Sequence, residues 1–265
     1  MSSTIITLTT DWGYCDFFSG KVKGKLYSYI PDVQVVDVTH GLVNHDLLRA
    51  SFIVKHGCLG FPPGTIHIID VNSNQNSGHA FVVVEYQQQY FICTDNGLPW
   101  MVFGDRFSRA VQIAGINMES DFYTFVASDL FCKVAAELAK GADLYSLGTP
   151  TTQLVRQQPL STNIYDDHIQ VYITYIDNYG NADLNITYDE FVQLCAGRGF
   201  SMNVNGVTLN KIQHGYTESS HRNIISSELM LTVSSSGHLQ IALPQASAER
   251  LIGLRVLSNY SIYFK

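Results

Sequence analysis

The chain has 265 residues, of which 46% are apolar and 15% are charged, so we expect a packed protein of two domains and not a disordered chain. Its formal net charge is −7, and its lysines and arginines form no cluster, so no nucleic acid and no anionic membrane surface is an expected partner. A small cationic ligand suits this charge better.

Targeting and metal-binding signals are absent from the sequence. No apolar run approaches the roughly 20 residues that span a bilayer, and the N-terminus has neither a basic region nor a cleavage site of a secretory signal. The five cysteines are scattered, odd in number and without a CxxC pair, which indicates free thiols in a reducing cytoplasm. The histidines show no HExxH spacing, so we expect no metal site and a cytoplasmic protein.

Strand and helix patterns alternate in the first half of the chain. Strands are predicted at 4–10, 33–38, 65–71, 80–86 and 90–94. Helices are predicted at 17–30, 45–57 and 128–141, the last with Ser128 as its N-cap. This order predicts an α/β N-terminal domain over residues 1–155 with a mainly parallel central sheet.

The second half is rich in β-strand patterns. From about 148 to 163 a polar segment containing two prolines loses all periodicity, and we interpret 156–164 within it as a linker. Beyond it we predict an all-β C-terminal domain over 165–265, a small barrel or sandwich with one short helix at 187–197. Its predicted strands are 169–176, 201–206, 229–233, 239–243, 254–257 and 260–264.

Three of the predicted strands of the first domain end on an acid: Asp11, Asp70 and Asp95. Ligands bind outside the carboxyl ends of strands in an open α/β sheet, and a carboxylate can accept hydrogen bonds from a ribose diol. Aspartate also forms turns well without any ligand. Grouped carboxylates raise one another's pKa unless a cation or hydroxyls satisfy them, which favours the binding interpretation for the group as a whole.

The second domain contains an acidic turn, YIDNYGNADLN, with Asp177, Tyr179, Asn181 and Asn185. An Asn-Tyr-Gly-Asn turn closes a hairpin without any ligand. An aromatic ring between an amide and a carboxylate also suits adenine or an amino-acid head group. Spacing alone leaves both interpretations open.

Seven motifs, in order along the chain, resemble those of one family. TLTTDWGYCDFFSGKVKGKL resembles an opening with the core TTDFG, VVDVTHGLVNHDLLRASFIV resembles a segment containing VDISH, and FPPGTIHIIDV resembles FP.GTIHV.VVDPGVG. TDNGL, TFVASDLFCKVAAELAKG, YIDNYGNADLNI and SSSGHLQIALPQASA follow in the second part of the match. The family is that of the S-adenosylmethionine (SAM) hydroxide adenosyltransferases, or SAM hydrolases, whose superfamily includes the fluorinases and chlorinases.

The resemblance implies a displacement at ribose C5′ of SAM, with methionine as leaving group and no cofactor beyond SAM itself. It also implies a homotrimer in which the N-terminal domain of one subunit and the C-terminal domain of its neighbour enclose the adenosyl ligand. The implied roles are the ribose diol for Asp11, the methionine amine for Asp16 and Asp177, and the adenine and methionine side for Tyr179 and Asn181. Ser235 would hold the amino-acid head, and Asp95, Asn96, Thr124 and Phe125 would shape the region around the ribose and C5′.

The family's catalytic triad of Asp, Arg and His is only partly present. Asp70 matches the Asp, but Ser77 stands in place of the Arg and Val126 in place of the His, while Ser128 replaces the Arg of the HGRD motif. His79 or His45 could substitute as a base, although each also reads as an ordinary histidine.

Three functions are compatible with this altered triad: hydrolysis of SAM to adenosine and methionine, binding of SAM or adenosine without catalysis, and a reaction that uses another nucleophile or nucleoside. A halogenase is not favoured. Halogenases carry Tyr where Asp70 stands, Ser where Ala127 stands, and Trp at the position of His45.

Overall fold

The computed structural model describes residues 3–73, 78–116, 124–158, 160–216 and 228–265. The chain divides into two compact units, Met1–Gln158 and Pro159–Lys265. The division falls inside the segment 156–164 that the sequence indicates as a linker, and the exact domain limits stay a prediction. None of the described helices is long and apolar enough to cross a membrane.

The first unit is built on a seven-stranded sheet in the order β2-β1-β3-β5-β4-β6-β7. The strands are β1 Ile5–Thr10, β2 Gln34–Thr39, β3 Ile66–Asp70, β4 Phe81–Tyr86, β5 Gln89–Thr94, β6 Arg109–Ile113 and β7 Gly148–Pro150. β2, β1, β3 and β5 pair in parallel, whereas β5–β4, β4–β6 and β6–β7 pair antiparallel.

The sheet is therefore mixed, and the predicted mainly parallel sheet is not confirmed. The reason lies in the tight turn between β4 and β5. Gln87 and Gln88 have φ of 50° and 61°, the left-handed conformation of both central residues in a two-residue hairpin. That turn reverses the chain direction within two residues, so β4 pairs antiparallel with β5. β6 then pairs antiparallel with β4, and β7 pairs antiparallel with β6.

Helices cover both faces of this sheet: α1 Phe18–Tyr29, α2 Leu47–Gly57, α3 Leu98–Phe103 and α4 Cys132–Ala139. One core cluster contains Leu26 and Phe131 and the other contains Val54 and Phe103. Because the central strands are buried on both sides, they are apolar at consecutive positions, as in the fully buried β3.

The helix near residue 130 begins earlier than the sequence predicts. The backbone N–H of Asp129 donates to the carbonyl of Phe125, and a π-helical turn over Ala127–Phe131 leads into α4. Ser128 thus lies inside a helical segment, and its buried hydroxyl has no hydrogen-bond partner in the described part of the chain. The prediction of Ser128 as N-cap is wrong because core packing of Val126, Ala127, Leu130 and Phe131 extends the helix by a turn.

The second unit contains one continuous nine-stranded sheet, in the order β12-β11-β16-β9-β10-β15-β14-β13, with β8 paired to β9. The strands are β8 Asn163–Ile164, β9 His168–Ile176, β10 Ala182–Thr187, β11 Phe200–Val204, β12 Val207–Leu209, β13 Ile212–Gln213, β14 Met230–Val233, β15 His238–Ala242 and β16 Asn259–Phe264. The β-rich character predicted for this half is confirmed.

Two short helices accompany the second sheet: α5 Tyr188–Cys195, which the sequence predicts, and α6 Ala248–Ile252. A capping box between Thr187 and Glu190 starts α5. The strand predicted at 254–257 is wrong, because residues 254 and 255 have no regular structure and residues 256 and 257 form a turn. Gly253 and Leu257 have φ of 71°, and such left-handed positions interrupt an extended strand.

Candidate functional site

Asp70 ends β3 at the carboxyl edge of the parallel strands, beside Asp11. Thr10 of β1 is the register partner of Asp70, which places Asp11 next to it. The Asp70 side chain is only 6% exposed, and the indole Nε1–H of Trp12 donates to its Oδ2 at 2.7 Å. Burial raises the pKa of Asp70 to about 6; the Ser73 and Trp12 hydrogen bonds lower it, and the Asp11 charge raises it. Asp70 is therefore suited to exchanging a proton near neutral pH.

Two backbone N–H groups from separate loops hold the Asp11 carboxylate. The N–H of His45 donates to Oδ2 at 3.0 Å, and the N–H of Asn72 donates to the same oxygen at 3.4 Å. Both donors have positive φ, 66° for His45 and 52° for Asn72. Such a conformation costs a non-glycine residue about 1 kcal/mol or more, so the tertiary structure shapes both loops around this carboxylate.

Side chains of β5 and the following turn fix the first part of the loop after Asp70. The buried Asn96 amide donates to the carbonyls of Val71 and Asn72 at 3.1 and 3.4 Å. The Thr94 hydroxyl donates to Ser73 at 2.9 Å. Ser77, which stands in place of the family's Arg, lies outside the described residues.

We predict that Asn96→Ala loosens this loop. The substitution removes a donor to one buried and one partly buried carbonyl and is expected to lower the free energy of unfolding by about 1–3 kcal/mol. Asn44→Ala is the matched control, because it removes one exposed amide donor, to the carbonyl of Asp11, and should change stability by less than about 0.5 kcal/mol. Urea denaturation of the two variants measures the difference, and equal losses would contradict the role of Asn96.

Aromatic rings and a buried histidine surround the indole that contacts Asp70. Trp12 stacks on His40 with ring centroids 5.5 Å apart and meets the edge of Phe125 at 5.1 Å. Nδ1 of His40 bonds Thr10 at 2.7 Å, and its Nε2 lies 3.1 Å from the Asp37 carboxylate. Sequence reasoning missed both Trp12 and His40, although TTDWG and VTHG lie inside the motifs it used.

The third acidic strand end has a different environment. Oδ1 of Asp95 accepts from the backbone N–H of Val155 at 2.9 Å, which ties the end of β5 to the segment near 155. Burial raises the pKa of Asp95, and both the Val155 hydrogen bond and the His79 charge oppose that increase. Of the two histidines considered as substitute bases, His79 thus faces Asp95, and His45 contacts Asp11 through its backbone.

The remaining predicted residues of the first unit lie at different depths. Asp16 and Thr124 are exposed, and Phe125 contacts the ring of Trp12, whose indole bonds Asp70. Val126, in place of the family's His, is 2% exposed and belongs to the apolar core together with Ala127. The structure therefore brings Asp11, Asp70, His45 and Asn96 together in one region, with Phe125 at its border.

In the second unit, Asp177 organises the acidic turn. Its Oδ1 accepts the backbone N–H groups of Tyr179 and Asn181, both at 2.9 Å, and its Oδ2 accepts the Asn181 side chain at 3.1 Å. Gly180 between them has φ of 85°. The turn holds the Tyr179 ring 77% exposed, an unusual position for a large aromatic side chain that fits a ligand contact.

A second buried acid, which sequence reasoning missed, lies beneath this turn. Asp183 is 3% exposed, and burial raises its pKa to about 6; the Asp177 charge raises it further, and hydrogen bonds from Ser234 and Gln240 lower it. The exposed Ser235 follows Ser234 in the loop between β14 and β15. The unit thus carries two neighbouring acids below an exposed aromatic ring, which suits a cationic group. Within the described ranges, no group of three potential metal ligands occurs.

Two family models match the chain: the SAM hydroxide adenosyltransferase N-terminal domain over residues 6–148, and the C-terminal domain of the same description over residues 171–260. The chain is 24% identical over 263 residues to an (R)-S-adenosyl-L-methionine hydrolase of Salinispora tropica, covering 94% of each chain. It is 25% identical over 199 residues to a protein of the same description from Methanocaldococcus jannaschii, covering 70% of this chain and 68% of the relative. The crystal structure of an uncharacterized conserved protein from Thermotoga maritima shares the fold, with TM-score 0.86 and 21% identity over 97% of this chain and 99% of that chain.

Proposed function

Because the chain belongs to the SAM hydroxide adenosyltransferase family through both of its domains, we propose that it binds SAM and hydrolyses it to adenosine and methionine. The catalytic role is supported by Asp70, a buried carboxylate with a pKa of about 6 at the carboxyl edge of the parallel strands. A base with such a pKa is largely ionised at neutral pH and still able to accept a proton.

In the proposed reaction, a water oxygen attacks C5′ of the ribose in line with the bond from C5′ to sulfur. Asp70 accepts one proton of that water as the new C–O bond forms. The C5′–S bond breaks, and its electron pair stays on sulfur, so the sulfonium becomes the neutral thioether of methionine. The positive sulfonium is already a good leaving group, so the protein mainly positions the water and excludes bulk solvent.

The proposed binding roles follow from unsatisfied acceptors and exposed rings. Both loop N–H groups reach Oδ2 of Asp11, which leaves Oδ1 as an acceptor for ribose hydroxyls among the described contacts. Asp16 and Asp177 would accept the methionine ammonium group. The remaining proposed ligand contacts are His45, Asn96, Thr124, Phe125, Tyr179, Asn181 and Ser235.

A homotrimer, in which a neighbouring subunit supplies the acidic turn to this site, is part of the proposal. It rests on the family alone. Sedimentation velocity at micromolar concentration tests it, and a monomer under those conditions would contradict it.

The experiment for the proposed reaction is incubation of the pure protein with SAM in water enriched in ¹⁸O. We expect adenosine and methionine in equal amounts, with one ¹⁸O atom in the 5′-hydroxyl group of adenosine, because attack at C5′ places the solvent oxygen there. Chromatography with mass detection measures both. Absence of adenosine above the blank at stoichiometric protein would contradict hydrolysis.

Binding of SAM or adenosine without turnover is the second candidate. The observation that favours it is Val126, a core residue at the position where the family has a catalytic His. Calorimetric titration with SAM and with adenosine separates the candidates, since binding without adenosine release supports this one. No binding of either nucleoside would contradict both.

A further inference from the structure

Trp12 donates its indole N–H to the Asp70 carboxylate at a distance of 2.7 Å. We infer that Trp12 is a positioning residue for Asp70, whose indole N–H supplies the donor that the missing family Arg does not. The kinetic consequence of this inference rests on the proposed hydrolysis. The contact between Trp12 and Asp70 is independent of that reaction.

The electrostatic environment makes hydrogen bonds to Asp70 important. Asp70 is buried, and the neighbouring Asp11 charge raises its pKa further, so hydrogen bonds are what oppose the cost of ionising it. Two hydrogen bonds lower the Asp70 pKa, first that of the Ser73 hydroxyl, which itself accepts from Thr94, and then that of the Trp12 indole. A hydrogen bond to an ionised carboxylate is about twice as strong as one between neutral groups, so removing the indole N–H favours the protonated, inactive carboxyl group.

The indole is also held in one orientation. His40 stacks on it with an interplanar angle of 12°, and Phe125 packs at its edge. His40 is itself fixed by Thr10 on one ring nitrogen and by Asp37 and Ser19 on the other. The N–H is therefore directed at Asp70 before any ligand arrives, which is what a positioning residue requires.

The sequence change fits this role. Trp12 stands in a TTDWG segment where the family opening reads TTDFG. Phenylalanine would fill most of the same space between His40 and Phe125 but has no donor. The Trp12→Phe variant therefore separates the hydrogen bond from packing, because it removes the N–H and keeps most of the ring.

The first test is the titration of the indole N–H resonances in ¹⁵N-labelled protein between pH 4.5 and 8. The chain has two tryptophans, and the signal that remains in Trp100→Phe belongs to Trp12. We expect it to shift with a midpoint near pH 6, and the shift to disappear in Asp70→Asn. His40 stacks on the indole, Asp37 contacts His40, and Asp11 lies beside Asp70, so a shift that persists in Asp70→Asn, or a flat signal, would overturn the inference.

The second test is the pH dependence of adenosine formation by Trp12→Phe, with Trp100→Phe as the matched control. We expect the acidic limb to move upward by about one to two pH units, because a hydrogen bond to a charged group and a pKa shift of this size have comparable free energies. At pH 7 this lowers kcat about two- to tenfold, with recovery near pH 9 and little change in KM. A uniform loss of kcat at every pH would show a purely structural role.

The two proposals fail separately. If the wild-type protein forms no adenosine, the proposed hydrolysis fails, and the indole titration still decides the contact between Trp12 and Asp70. If adenosine forms but the indole does not sense Asp70, the inference about Trp12 fails alone.

Discussion

Replacing Asp70 by asparagine is expected to lower kcat for adenosine formation by about 10²- to 10⁴-fold, the usual contribution of a general base. The amide has nearly the same size and can still accept the Trp12 N–H through its oxygen, but it cannot take a proton from water. Because Asp70 acts on the nucleophile and not on the bound nucleoside, KM should change little. Steady-state kinetics with chromatographic detection of adenosine measures both constants.

The control for this variant is Asp129→Asn, the same change at another buried acid of the first unit, which pairs with Lys25. It should keep kcat close to wild type although it removes an ion pair. In the wild type, activity should rise with pH through about 6, because only the ionised Asp70 accepts a proton. Wild-type activity in Asp70→Asn, or an activity with no acidic limb in the wild type, would disprove this role.

The Asp70→Asn substitution should also stabilise the fold at neutral pH. The pKa of Asp70 rises from 3.8 to about 6 on folding, so its contribution to stability is complete below about 3.8 and is lost as pH rises through about 6. Above that pH the buried charge costs roughly 3 kcal/mol, which asparagine removes. Urea denaturation at pH 7.5 should show a more stable variant, a trade of stability for function that is common at active sites.

The second large effect is expected from Gly180→Ala in the acidic turn. Gly180 has φ of 85°, and a Cβ there would overlap the Ser247 hydroxyl and lie 2.8 Å from its Cβ. Ser247 caps the start of α6, and the Gly180 carbonyl accepts the N–H of Glu249 from the same helix. The added methyl group therefore forces the turn and the helix apart, and we expect a loss of about 2–5 kcal/mol in the free energy of unfolding.

Gly206→Ala separates the steric effect from the backbone effect. Gly206 also has a positive φ, 94°, but no atom lies within 4 Å of its added Cβ. It should lose only the backbone term of about 1–2 kcal/mol. Equal losses in the two variants, measured by urea denaturation, would show that contact with Ser247 does not matter.

Local patterns were sufficient for much of the architecture. Strands β1, β3 and β5, and the acids that end them, follow from short apolar runs that stop at a polar turn. The motif order from Thr4 to Ala248 was sufficient for the family, which the matches over both domains confirm. These features depend on residues close together in sequence, so local patterns of apolar and polar residues are enough to predict them.

Strand direction and helix start depended on context instead. Gln87 and Gln88 form a turn with positive φ, a conformation that glutamine rarely adopts, so the sequence did not predict the antiparallel half of the first sheet. Ser128 has the sequence of an N-cap, yet packing carries the helix past it and leaves its hydroxyl buried.

The sequence by itself determined the order of elements, the acidic strand ends and the family, because each is written in neighbouring residues. Only the tertiary structure decided which groups surround Asp70 and Asp183. Trp12 and Asp70 are 58 positions apart, and Asp183 and Gln240 are 57 apart. Their contacts exist because β1 pairs with β3 and β10 pairs with β15. Burial by such long-range pairing, and not residue type, raises both acid pKa values to near 6.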